Sequence, residues 1–134
     1  MLLGTKSAAV DWLVVGLGNR DVTPDALGPR VVSNIEITRH MIREYGRAAL
    51  EGKRANEVSS LVPGVMAQTG METLEIIKGV VEETRPDVVL VIDALAARNT
   101  RRLSRTIQIS DTGINPGSGV GNHRNGINKE ALGV

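Results

Sequence analysis

The 134 residues suffice for one domain and not for two, and an apolar content of 41% is that of a globular chain. One Trp, one Tyr and no Phe leave an aliphatic core and argue against modules that stack nucleic-acid bases on aromatic rings. Sixteen Lys+Arg against fifteen Asp+Glu draw the chain to neither nucleic acid nor anionic lipid, and the lack of cysteine excludes disulfides, thiolate nucleophiles and Cys-ligated zinc.

No apolar run approaches the roughly 18–20 residues that span a bilayer, and the opening MLLGTKSAAVDW lacks the apolar core of a secretory signal. The expectation is a soluble, intracellular protein. Residues 12–16 (WLVVG) form a continuous apolar run, as in a strand buried on both faces. They lead into GLGNRDVTPDALGP, a loop rich in Gly, Pro and Asp. Over 29–45 an apolar stripe of Val31, Val32, Ile35, Met41 and Ile42 predicts one helix, with Pro29 at its first position and Gly46 as its stop. Residues 46–58 are charged and read as a helix tail or exposed connection, and 60–62 as a short strand ending at Pro63-Gly64.

Thr69 and Glu72 have the spacing of a capping box that opens a helix to about Thr84, with Leu74, Ile76, Ile77, Val80 and Val81 on its buried side. Arg85-Pro86 ends that helix, and 87–93 (DVVLVID) is a second apolar strand. Residues 106–110 (TIQIS) alternate like a half-exposed strand. Strands separated by helices imply crossovers and a mainly parallel sheet with helices on both faces, an α/β fold. Residues 111–134 are Gly-rich and read as loop, which suits a mobile functional loop or a chain cut before its final strands. The second is the expectation: a single domain over 1–134, incomplete at both ends.

In an open parallel sheet, ligands bind at the carboxyl ends of the strands. Asp93 closes the second apolar strand, and Asp25 lies in the loop leaving the first. If the two strands are neighbours, both carboxylates face one crevice. Position alone leaves open a helix cap for Asp25 and a strand-end turn for Asp93. Two close carboxylates cannot easily both ionise, so such a pair holds one proton and can activate water while protonating an amide leaving group.

Asp111-Thr-Gly113 matches the tripeptide of pepsin-like proteases, but those are all-β and the alternation here is not; Asp111 remains a candidate for lining the cleft. Gly16-Leu-Gly18-Asn19 lacks the third glycine of a dinucleotide loop, since position 21 is Asp. Arg98, Arg101, Arg102 and Arg105 form a basic cluster, read either as a solvated loop or as a dock for acidic groups. His40 and His123 have no spacing that suits a metal, and no metal or other cofactor is expected.

Taken together, GLGNRDVTPDALGP, LVPGVMAQTGMET, RPDVVLVIDALAAR and TIQISDTGINPGSGVGN resemble the germination protease family, in order, over residues 12–134. The resemblance implies an endopeptidase that degrades small acid-soluble spore proteins in the spore core during germination. It implies a zymogen, a homotetramer and a fold similar to that of the hydrogenase maturation proteases, a three-layer α/β/α arrangement with a mainly parallel or mixed sheet. The charge balance and the lack of a long apolar run leave no direct nucleic-acid or membrane partner expected. By motif the family's two catalytic aspartates fall on Asp25 and Asp93, with Gly18 and Asn19 in the supporting loop and Asp21 as a rival to Asp25. A pro-segment is expected to hold the 16–29 loop away from Asp93. The relation to hydrogenase maturation proteases keeps a metal-dependent peptidase as an alternative, and a non-catalytic protein-binding fragment is another. The opening VGLGN also resembles peptidyl-tRNA hydrolases, but Arg20-Asp21 stands where they have Pro-Gly, and Thr38-Arg39-His40-Met41 falls within a predicted helix.

Overall fold

The computed structural model describes residues 9–50, 56–95, 106–117 and 125–134. Three strands, β1 (Asp11–Gly16), β2 (Glu57–Leu61) and β3 (Val88–Ile92), form a parallel sheet in the order β2-β1-β3. The register pairs Trp12 with Val58 and with Val88, so β1 is hydrogen-bonded on both sides. Its run of apolar residues follows from that position, because a central strand of a parallel sheet meets a helix on each face.

Side-chain alternation divides β1 between the two faces. Leu13 and Val15, with Leu17 just beyond the strand, pack against Ile77 and Val81 of α4 (Thr73–Thr84). On the other face Gly16 lies under α1 (Leu27–Val32). Right-handed crossovers account for this arrangement: the chain leaves β1 toward β2 on one side, then returns past β1 to β3, so the connecting helices fall on opposite faces. The α/β class and its layered arrangement thus agree with the sequence pattern.

Several elements differ from expectation. The single helix over 29–45 is two, α1 and α2 (Arg39–Tyr45). Ser33 Oγ donates to Pro29 O at 2.9 Å and Asn34 Nδ2 to Arg30 O at 2.7 Å, so polar side chains compete for the carbonyls at the end of α1. Thr38 then leaves the helical path entirely. Its N–H donates to Val58 O at 3.0 Å, its Oγ1 donates to Asn56 O at 2.6 Å, and the Val58 N–H donates to that Oγ1 at 3.0 Å. This clamp draws the strand start back to Glu57, three residues before the expected 60–62. Of the predicted stripe only Ile42 is buried.

The capping box is also shifted. Thr69 ends the one-turn helix α3 (Met66–Thr69), and its Oγ1 accepts from the Met71 N–H at 3.1 Å. The longer helix starts after Glu72, whose N–H donates to Glu75 Oε2 at 2.8 Å. Residues 106–110 are not a strand: Ile107 and Ile109 are 90% and 91% exposed, and alternation without a pairing edge fixes no structure. The last quarter, read as loop, contributes to the core. Ile114 and Ile127 exchange two backbone hydrogen bonds of 2.8 Å, and Ile127, 2% exposed, packs into the cluster under α4. A short helix α5 (Lys129–Leu132) follows, capped by Asn128 Oδ1, which accepts from the Ala131 N–H at 2.9 Å.

Candidate active site

The strand order places a topological switch point between β1 and β3, where connections depart in opposite directions and leave a crevice at the carboxyl ends. The Leu17 N–H donates to Ile92 O at 2.8 Å, which carries the pairing one step beyond β1. Gly18 then turns the chain sharply with φ of 116°, a conformation that strains any side chain, and a Cβ there would stand 2.0 Å from Asp25 O. The loop therefore folds tightly back on the 3-10 turn Thr23–Asp25.

Asn19 organises that loop. Its N–H donates to Asp25 Oδ2 at 2.8 Å, and its side-chain Oδ1 accepts from the Asp21 N–H at 2.9 Å. The Val22 N–H donates to Asn19 O and the Asp25 N–H to Val22 O, so the backbone closes on itself before α1 begins. Asp25 is half-buried with its carboxylate anchored, whereas Asp21 is exposed. Among the residues of this loop, the geometry thus favours Asp25 over Asp21 as the acid that meets the crevice.

Asp93 follows β3 directly and is half-buried. Burial pushes its carboxyl above the ordinary carboxylate range. The Ala94 N–H, donating to Asp93 Oδ1 at 2.8 Å, opposes that shift, and the charge of Asp25 adds to it. The structure brings Asp25 and Asp93 close enough for the charge of one to act on the proton of the other. Among the described residues, Asp25 is the one charged group that acts on Asp93 in this way. Such a pair can hold one proton between two carboxyls and serve as acid and base together.

Asp111 is exposed in the irregular segment that follows Ser110, and no interaction of the described residues ties it to the pair. His40 is exposed on α2. Arg98, Arg101, Arg102, Arg105 and His123 lie outside the described residues. Among the described residues, no three His, Asp or Glu side chains converge as metal ligands. Two glycines shape the crevice: Gly16, which the sequence marks only as part of an incomplete dinucleotide loop, and Gly28, which it does not single out. A Cβ on Gly28 would stand 2.3 Å from Leu17 O and 2.7 Å from Ile92 O, and one on Gly16 would stand 2.3 Å from Gly28 O. The available signal was a glycine one position before Pro29, but a glycine near a helix start has many uses.

A family model described as germination protease matches residues 3–134. The chain is 62% identical over 122 residues to the germination protease of Caldanaerobacter subterraneus subsp. tengcongensis, covering 91% of this chain and 37% of that protein. It is 60% identical over 122 residues to the germination protease of a Geobacillus species, with 91% and 32% covered. Against that of Bacillus mycoides it is 57% identical over 128 residues, with 96% and 34% covered. The chain spans about a third of the length of the curated relatives it matches.

Proposed function

The chain belongs to the germination protease family, and from that premise we propose that it carries the acid/base pair of an endopeptidase, formed by Asp25 and Asp93. What supports this reading is that Asp25 lies in the loop leaving β1 and Asp93 follows the neighbouring β3, on the two sides of the switch point, with the Asp93 carboxyl raised by burial and by the charge of Asp25. The proton of the pair rests on Asp93. Asp25, anchored by the Asn19 amide, takes a proton from a water molecule. The resulting hydroxide attacks the scissile carbonyl carbon, while Asp93 gives its proton to the carbonyl oxygen. Asp25 then returns its proton to the leaving amide nitrogen as the C–N bond breaks, and the tetrahedral intermediate's hydroxyl proton goes back to Asp93. No cofactor enters this sequence.

The substrates in this reading are small acid-soluble spore proteins, cut in the spore core during germination by a homotetramer made as a zymogen. The pro-segment acts by holding the 16–29 loop away from Asp93. Asp25→Asn and Asp93→Asn, each made in the full-length protein, preserve shape and remove one carboxylate. Each is expected to lower cleavage of a purified spore protein by about 10²–10⁴-fold. Near-normal turnover by either variant would overturn the dyad. Activity lost in chelator and restored by a divalent cation would replace it with metal-assisted hydrolysis. Binding without cleavage by the activated, unaltered protein would leave a protein-binding role.

A further inference from the structure

We propose that Gly28, together with Gly16 beneath it, is a positioning residue that sets the separation of Asp25 and Asp93 through direct backbone contact. The proposal rests on the dyad reading and extends it from the two acids to what holds them. Asp25 ends the 3-10 turn two residues before α1 starts at Leu27, so its place is fixed by where α1 sits. At its first turn α1 lies on the ends of both strands at once. A Cβ on Gly28 would stand 2.3 Å from Leu17 O, 2.5 Å from Leu17 N and 2.7 Å from Ile92 O. Leu17 immediately precedes the loop that anchors Asp25, and Ile92 immediately precedes Asp93.

The contact is reciprocal. A Cβ on Gly16 would stand 2.3 Å from Gly28 O and 2.8 Å from Val32 Cγ2. All of these atoms except Val32 Cγ2 are backbone, and Leu17 N and Ile92 O form the hydrogen bond that carries the pairing of the two strands. They cannot turn aside as a side chain does, so any added carbon must lift α1 and carry Asp25 with it. Gly79, midway along α4, has nothing within 4 Å of a Cβ and supplies the control. Among the described residues, Asp25 is the charged group that acts on Asp93, from the 3-10 turn, while Arg20 and Asp21 of the loop and Arg30 of α1 are exposed.

The test compares Gly28→Ala with Gly79→Ala in the full-length protein. Steady-state cleavage is measured alongside the titration midpoint of Asp93, read from its side-chain carboxyl carbon by NMR. Lifting α1 moves the Asp25 charge away and admits water, so the Asp93 midpoint should move down toward the ordinary carboxylate range. The kcat should fall by about 10–100-fold with KM little changed, since a shift of about 1 Å in reacting groups costs that much. Gly79→Ala should move neither. A folded Gly28→Ala with the wild-type midpoint overturns the proposal, whatever happens to kcat. If Gly28→Ala does not fold, Gly16→Ala combined with Val32→Ala presses on the same contact from the strand side, with the same two outcomes. Failure of both to fold also overturns it, because the contact would then serve the fold as a whole. Normal turnover by Asp25→Asn or Asp93→Asn would sink the dyad reading alone, since the midpoint does not depend on activity.

Discussion

The two ends of the sheet each gather acids, and they treat them differently. At the amino end, burial and the charges of Glu57 and Asp87 raise the Asp11 carboxyl, while Arg43 and Arg47 pull it back. The backbone there is tied as well: the Asp11 N–H donates to Asp87 Oδ2 at 2.9 Å, and the Asp87 N–H to Asp11 O at 2.8 Å. Arg43 Nε reaches Glu57 Oε2 at 3.2 Å. At the carboxyl end, burial and Asp25 raise Asp93, and among the described residues only the Ala94 N–H opposes them. An acidic cluster paired with arginines and spent on backbone hydrogen bonds is a fastening. The pair at the switch point has, among the described residues, no cation acting on Asp93, and the carboxyl there stays raised.

Cleavage should separate the two ends most sharply. Asp93→Asn is expected to lose about 10²–10⁴-fold in turnover, whereas Asp87→Asn, which keeps an oxygen for the Asp11 N–H, should stay within about twofold, a margin equivalent to about 0.4 kcal/mol. Equal losses in a spore-protein cleavage assay would erase the distinction. Thr38→Val removes the hydroxyl that bridges Asn56 O and the Val58 N–H at the start of β2. A loss of about 1–3 kcal/mol in urea unfolding is expected, with kcat unchanged because the carboxyl end is untouched.

The pH dependence of stability sharpens the contrast further. Because the folded-state carboxyl of Asp93 is raised, the native state binds its proton more readily than the unfolded chain does. Its contribution to stability therefore grows as pH falls through the raised value and levels off below the ordinary carboxylate range. Asp93→Asn should be more stable than the parent at neutral pH, and this advantage should shrink as the pH is lowered toward 4. Thermal melts that diverge in the opposite direction would contradict the assignment. The smallest effect belongs to the amino-end ion pair. The Arg43 side chain is 52% exposed, and Arg43→Ala should cost about 0–1 kcal/mol, a cost that added salt reduces.

The sequence alone determined the α/β class, β1, β3 and the body of α4, because long apolar runs and a clean 3.6-residue stripe depend little on distant partners. It also marked Asp25 and Asp93 through their positions after apolar strands. Whether those strands were neighbours was a question of pairing order, and only the β2-β1-β3 arrangement set the end of β3 beside the loop that leaves β1. Tertiary structure decided the remainder for similar reasons. Thr38 broke one predicted helix into two and clamped the start of β2 because Asn56 and Val58 stood beside it. Ile127 entered the core from a Gly-rich tail because Ile114 paired with it. Ile107 and Ile109, with the better strand pattern, stayed exposed. Local periodicity records which side of an element is apolar; only the folded chain determines whether another surface is there to cover it.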